Sequence, residues 1–265
     1  MAAWREVARR IAHEIKNPLT PIQLSAERLK RKYINQIKED TEVFSQCTDT
    51  IIHHVGDIGR MINEFSAFAR MPEPVMNHSD IVRYVKETAI FQQQAHDNIN
   101  ITLSGLLAAE RDGGVAELVA FFDTQQVRQA LTNIMQNAID SVELAGLDDK
   151  RGHVDVRLDV LSGQGGDHEL AITVSDNGPG LPDMDDINKL TEPYVTHKEK
   201  GTGLGLAIVQ KIMQDHKGRL ILGKPDWLDG MEGYAALGGA TVVLLMPVDN
   251  SREEGGENAA GVEAA

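Results

Sequence analysis

The sequence predicts two domains of different class, an all-α helical hairpin followed by an α/β sandwich, and three observations predict it. Apolar residues recur in steps of three and four over two long early stretches, as on helices that bury one stripe. The segment Met71-Pro72-Glu73-Pro74 stops that pattern, because proline cannot continue a helix and disfavours helix in the residue before it. Beyond it, short apolar runs alternate with helical periodicity, as in a mixed sheet with helices on one face.

The first helix carries a seam of Ala8, Ile11, Ile15, Pro18, Ile22, Ser25 and Leu29. His13 lies off that seam, and Asn17, four residues later, shares its outer face with Glu14 beside them. A carboxylate that accepts one imidazole N–H fixes the tautomer and makes the other nitrogen a better nucleophile, so Glu14 is placed to activate His13. Taken alone, a histidine among Arg9, Arg10 and Lys16 is more often a solvated residue on a charged face. The zinc-protease pattern His-Glu-x-x-His fails, since Lys16-Asn17 stand where its second histidine belongs.

Lys30 to Asp40 reads as an interhelical loop, and a second helix starts near Thr41. Its seam is Val43, Cys47, Ile51, His54, Ile58, Met61 or Ile62, Phe65 and Phe68. Two helices cannot bury both seams alone, so the expectation is a dimer that completes a four-helix bundle and leaves His13 outside. Adjacent residues on a helix point apart, which argues against His53-His54 as a metal site.

In the second domain the pattern predicts a helix over Ser79 to His96, strands near Ile99 to Leu103 and Val119 to Phe122, and a long helix from Thr124 to Leu144. Strands follow at Val154 to Leu161, Leu170 to Ser175, Leu220 to Leu222 and Thr241 to Met246, with a helix from Leu204 to His216. Domain limits are therefore set at residues 1–71 and 79–248, with 72–78 as linker. The Gly-, Ala- and Glu-rich tail 249–265 is expected to be disordered.

A length of 265 residues with 42% hydrophobic content supports real cores, and a net charge of −14 argues against nucleic acid as a partner. The single cysteine, Cys47, excludes a disulfide scaffold and suits a reducing cytosol. The longest uncharged run, Gly233 to Val248, falls short of the ~20 apolar residues of a membrane helix. Because the chain opens inside a helical pattern, it reads as a piece of something longer.

Three features carry chemistry in the second domain. Asn133 and Asn137 project from one helix face, where amide groups can meet Mg²⁺ or phosphate, although such a pair taken alone more often merely caps or solvates. Asp176-Asn177-Gly178-Pro179-Gly180 follows an apolar strand and forms a turn; Asp-Asn-Gly also makes ordinary loops, but its place at a buried strand end would let the carboxylate accept a purine amino proton. Gly201-Thr202-Gly203-Leu204-Gly205-Leu206 opens a helix and lets backbone N–H groups approach phosphate. The polar span Leu181 to Lys200 before it reads as a mobile lid in which Lys198 reaches a phosphate.

These motifs, with Gly238-Gly239-Ala240-Thr241, stand in the order and spacing of two-component sensor histidine kinases, and the resemblance covers residues 5 to 247. The run Trp4 to Tyr33 looks like the NtrY group of nitrogen-regulation kinases. The resemblance implies a dimerisation and phosphoacceptor bundle, then a catalytic ATP-binding domain of the GHKL (Bergerat) type shared with gyrase, Hsp90 and MutL. By position His13 resembles the phosphoacceptor, Glu14 its base and Asn17 the residue that positions water in dephosphorylation. Asn137 matches the Mg²⁺ ligand, Asn133 its companion and Asp176 the adenine-reading carboxylate. Gly178, Gly180, Gly201, Gly203 and Gly205 match the nucleotide glycines, with Leu206 closing their last motif and Thr241 falling in the final pocket motif.

Implied with them are ATP and Mg²⁺, a homodimer, and a response-regulator receiver domain of the NtrX kind. No membrane contact is expected of this portion, which is cytoplasmic, while the full-length protein is expected to be anchored in the inner membrane. There are departures. Asp140 stands where many members carry Lys or Arg, Leu190 where the segment before the lid usually has Phe, and the insertion Pro225 to Leu237 is longer than usual. Two alternatives share the second domain: an ATP-driven clamp of the gyrase or Hsp90 kind, which has no use for His13, and a scaffold that binds ATP without catalysis.

Overall fold

A computed structural model of the chain describes residues 2–69, 71–108, 110–111, 114–115, 117–146, 152–162, 168–184, 186–196 and 201–248. Within its helices and strands, the side chains of residues 2–11, 13, 60, 63, 64, 67, 68, 110, 111, 114 and 115 lie outside that description. Lys198 and the tail 249–265 lie outside it entirely. The chain divides into two compact units: Met1–Pro72 with Tyr194–Leu204, and Glu73–Pro193 with Gly205–Ala265.

In the first unit α1 (Ala2–Tyr33) pairs with α2 (Thr41–Ala69). Helix α1 runs four residues further than the polar composition indicates, because Lys30, Arg31 and Lys32 in its last turn complement the negative end of the helix dipole. Pro18 and Pro21 lie inside α1 and cannot donate the helical bonds to the carbonyls of Glu14 and Asn17, which loosens the ladder just past His13.

The two helices meet through small or slender residues, with Ala12, Ala26, Thr48, Val55, Ile62, Ser66 and Ala69 buried. The seam read from the sequence, which is expected to be buried only in a dimeric bundle, is largely a different stripe from this contact. Ile15, Ile22, Leu29, Val43, Ile51, Ile58 and Met61 stay exposed in the single chain, Ile22 by 46% and Ile51 by 45%. Small side chains let helix backbones approach closely, so the alanines settle in the hairpin contact while the bulky residues form a second apolar face. An open apolar groove lined by Pro21, Ile22, Ser25, Leu29 and Ile51 runs along that face.

The second unit starts with β1 (Asn77–Asp80), which pairs antiparallel with β5 (Val119–Phe122), so the helix expected from Ser79 begins two residues later as α3 (Ile81–Ala95). Asp80 sets that start: its Oδ1 accepts from Val82 N at 3.1 Å as the N-cap and from Leu118 N at 3.1 Å. After β2 (Ile99–Gly105) come a two-residue pairing, β3 (Glu110–Arg111) with β4 (Gly114–Val115), and then β5. Helix α4 (Thr124–Leu144) has the limits read from the sequence, because Asp123 Oδ1 accepts from Gln125 N and Gln126 N, both at 2.9 Å. The remaining elements are β6 (Gly152–Ser162), β7 (His168–Asp176), α5 (Gly205–Asp215), β8 (Arg219–Leu222) and β9 (Thr241–Pro247).

The main sheet has the order β2-β6-β7-β9-β8, with β2 parallel to β6 and every other pair antiparallel. Val156 registers with Val174, and Val174 with Val242; these residues lie on the face covered by α3, α4 and α5. Val85, Leu131, Met135, Ile139, Val209 and Ile212 are fully buried on those helices. The insertion Pro225 to Leu237 covers part of the opposite face: Trp227 packs on Ala171, Val243 and Leu245 beside Leu161 and Ile221. Arg157, buried and bonded to Asp159 at 2.7 and 3.0 Å, donates to the Glu232 carbonyl at 2.8 Å and holds the insertion down. The long insertion thus supplies a partial third layer.

Candidate nucleotide site and phosphoacceptor helix

Asp176 ends β7 between β6 and β9 and is 3% exposed. Its Oδ1 accepts from Gly178 N at 2.8 Å, Ala240 N at 3.2 Å and Ser141 Oγ at 3.4 Å, so three segments aim donors at one oxygen. Backbone bonds Asp176 N to Ala240 O at 2.9 Å and Gly239 N to Asp176 O at 3.0 Å lock the strand end to the turn before β9. A Cβ on Gly239 would come within 2.4 Å of the Asp176 carboxylate, and one on Gly178 within 2.3 Å of Ser141 Oγ, so both glycines are required by close approach. Asn177 has a structural part: its Oδ1 accepts from His153 N at 2.8 Å and pins the turn to β6.

Helix α4 brings the other polar groups alongside. Asn133, Asn137 and Ser141 are spaced four apart and share one face. Asn133 Nδ2 donates to Gly205 O at 3.4 Å, and Asn137 Nδ2 would lie 3.9 Å from a Cβ on Gly205. Because Ser141 at the far end touches Asp176, the strip runs from the start of α5 to the buried carboxylate and gathers Asn133, Asn137, Asp176, Gly178 and Gly205. Ser141, Gly239 and Ala240 were missed as site residues, although Ser141 continues the four-residue spacing of the asparagines. In the motif Gly238-Gly239-Ala240-Thr241 the Thr241 hydroxyl faces Ser175 Oγ at 3.1 Å, while Gly239 and Ala240 touch Asp176. Asp140 accepts from Gln136 Nε2 at 2.8 Å. Leu206 is half-buried in the first turn of α5, and Gly180 has a φ of 88° that favours glycine.

Gly201 and Gly203 belong to the first unit by packing. Tyr194 N donates to Gly203 O at 3.1 Å, and a Cβ on Gly203 would approach the Tyr194 backbone to 2.6 Å, so this pair closes the base of the segment between them.

On α1 the backbone is helical from His13 through Asn17, which puts the two residues on one face. Glu14 and Asn17 are exposed. Among the described residues there is no group of three or more His, Cys, Asp or Glu able to hold a metal ion by itself. Asn137 offers an amide oxygen, the hard donor that Mg²⁺ accepts when phosphates and water complete its shell, so the residues present fit that ion with a nucleotide.

Residues 3–74 match the His Kinase A (phospho-acceptor) domain, and residues 122–250 match the histidine kinase-, DNA gyrase B- and HSP90-like ATPase family. The nitrogen regulation protein NtrY of Azorhizobium caulinodans is 49% identical over 96% of this chain and 30% of its own length. A putative sensor histidine kinase, NtrY-like, of Rickettsia prowazekii is 39% identical over 82% of this chain and 33% of its length. The chain therefore spans about a third of the length of these relatives. In fold it is similar to full-length ShkA in complex with AMPPNP, with a TM-score of 0.58 and 20% identity over 91% of this chain and 45% of that one. Histidine kinase AdeS of Acinetobacter baumannii has a TM-score of 0.51 and 17% identity over 90% of this chain and 98% of its own. With the phosphoacceptor model on the helices, the ATPase model on the sheet and NtrY along nearly the whole length, the chain belongs to the sensor histidine kinases as an NtrY-like histidine protein kinase core.

Proposed function

We propose that the chain binds ATP in the second unit, phosphorylates His13 and passes the phosphoryl group to an aspartate of a response regulator, of the NtrX kind, in nitrogen-related signalling. The observation that carries this reading is the polar strip of Asn133, Asn137 and Ser141 ending on the buried Asp176. A buried carboxylate held by three donors is a fixed acceptor, suited to the exocyclic amine of adenine. The glycines leave the backbone open to the nucleotide, and the N-terminal end of α5 favours its negative charge. Asn137, with Asn133 beside it, would hold Mg²⁺, which would supply charge neutralisation at the triphosphate, and Lys198 is the side chain assigned to add to it.

The lone-pair nitrogen of the neutral His13 imidazole forms the N–P bond, the bond from the γ-phosphorus to the bridging oxygen breaks, and ADP leaves. Glu14 takes the proton from the other ring nitrogen, which keeps positive charge from building on the ring. Asn17, one turn further on, orients water toward a docked aspartyl phosphate, so the same helix face serves removal of phosphate from the regulator.

Support for a homodimer comes from the second apolar face of the hairpin, where Ile15, Ile22, Leu29, Ile51 and Ile58 stand exposed. Among the described residues no helix is long and apolar enough to cross a membrane, and a membrane anchor is assigned to the part of the full-length protein beyond this chain. Incubation with γ-labelled ATP tests the reading. Acid-labile, base-stable label retained on the protein and then passed to a receiver domain is the expected result. ATP turnover or binding without retained label would leave a clamp or a scaffold instead.

A further inference from the structure

The chain enters the second unit at Glu73, and the first tie to the interior comes at Val75 rather than at the strand. Val75 N donates to Asp123 Oδ2 at 2.6 Å although the Val75 side chain is 69% exposed. The other carboxylate oxygen of Asp123 caps α4, and Asp123 N donates to Nε2 of the fully buried His216, whose Nδ1–H donates to Ile212 O at 2.8 Å on α5. One residue, 7% exposed, thus joins the entering segment to the two helices that carry Asn133, Asn137 and Gly205. A helix cap needs only one oxygen, so the tie to Val75 is not explained by capping.

We propose that Asp123 is a positioning residue: it clamps the entering segment at Val75 and so shortens the free link over which bound nucleotide must reach His13. This inference rests on the kinase reading above. Without the clamp the next residue fixed by pairing is Asn77, opposite Phe122. The bond from Asn77 Nδ2 to Val75 O is local and does not hold Val75 against α4. Releasing Val75 and Met76 adds about 7 Å of extended chain to the link. The free residues go from Glu73-Pro74 to Glu73 through Met76, a doubling, and effective concentration falls roughly as the −3/2 power of length, or about threefold. The two prolines at 72 and 74 stiffen the short link, which makes the contrast between clamped and released states sharper.

The test is Asp123→Ser in the whole chain. Serine keeps a good N-cap and the backbone N–H to His216, but its shorter arm does not span to Val75. The expected result is a rate of autophosphorylation at saturating ATP lowered about threefold with the KM for ATP unchanged, and faster deuterium exchange of the Val75 amide. A KM that rises as the rate falls would mean that the residue acts only by holding α4 and its asparagines, and would overturn the proposal. An unchanged rate would overturn it as well. Equal exchange at Val75 in both proteins overturns the clamp whether or not the chain labels itself, whereas a wild-type chain that never labels defeats the kinase reading alone.

Discussion

At Asp176 one oxygen receives three donors from the protein, which fixes the direction in which the carboxylate meets a ligand. Asp176→Asn replaces an acceptor by a donor and is expected to weaken ATP by ~1–3 kcal/mol, measured by calorimetry with the fold unchanged by circular dichroism. At Asn17 the expected change is of another kind. Asn17→Ala keeps a good helix former, so autophosphorylation continues while dephosphorylation of the regulator falls about tenfold, on the scale of one lost positioning group. The decay of labelled regulator after ATP removal reads this directly. Taken singly, an Asp-Asn-Gly turn makes ordinary loops and an asparagine pair ordinarily caps or solvates, so the roles proposed for Asp176 and the asparagines were legible only from the order and spacing of the motifs together. Gly239 and Ala240 were passed over for Thr241, because a backbone N–H leaves no mark in a side-chain motif and only the 2.4 Å approach at Gly239 reveals it.

Among the elements, α4 was read to the residue because its cap and its periodicity agree, whereas β1 was invisible: Asn-His-Ser-Asp has no apolar alternation and pairs only because β5 lies beside it. The junction of α4 with α5 also sets a pH response. His216 is fully buried with Nε2 accepting from Asp123 N, so burial lowers its pKa below the ordinary 6.5, against smaller raising effects of the Ile212 carbonyl, Asp123 and Asp215. The unfolded chain therefore binds a proton that the folded chain refuses, and stability falls as pH drops below about 6.5 toward the lowered native value. Thermal midpoints between pH 7.5 and about 5 are expected to decline in the wild type and to flatten in His216→Gln, which keeps an acceptor that does not titrate. The hairpin makes a separate prediction. Ile51→Glu places a charge in the groove of the second apolar face, where Ile51 is 45% exposed, so sedimentation should report a monomer with unchanged helix content; a dimer would place the bundle contact elsewhere.

For the whole molecule, the two-domain plan and the break at Pro72-Glu73-Pro74 were legible because proline and a change of hydrophobic period act locally. Long-range choices were not. Which stripe of α1 faces α2 depends on Ala12 and Ala26 fitting closely, and the cover over the outer sheet face depends on Trp227 reaching residues of β7 and β9. The central claim joins the units: nucleotide held by Asp176 and the α4 strip is spent on His13. It is tested most directly by comparing wild type and His13→Gln for retained γ-phosphate and for ATP affinity in the same preparation. The account predicts acid-labile label in the wild type, none in the variant, and equal ATP affinity in both. Undiminished acid-labile label on His13→Gln would contradict it.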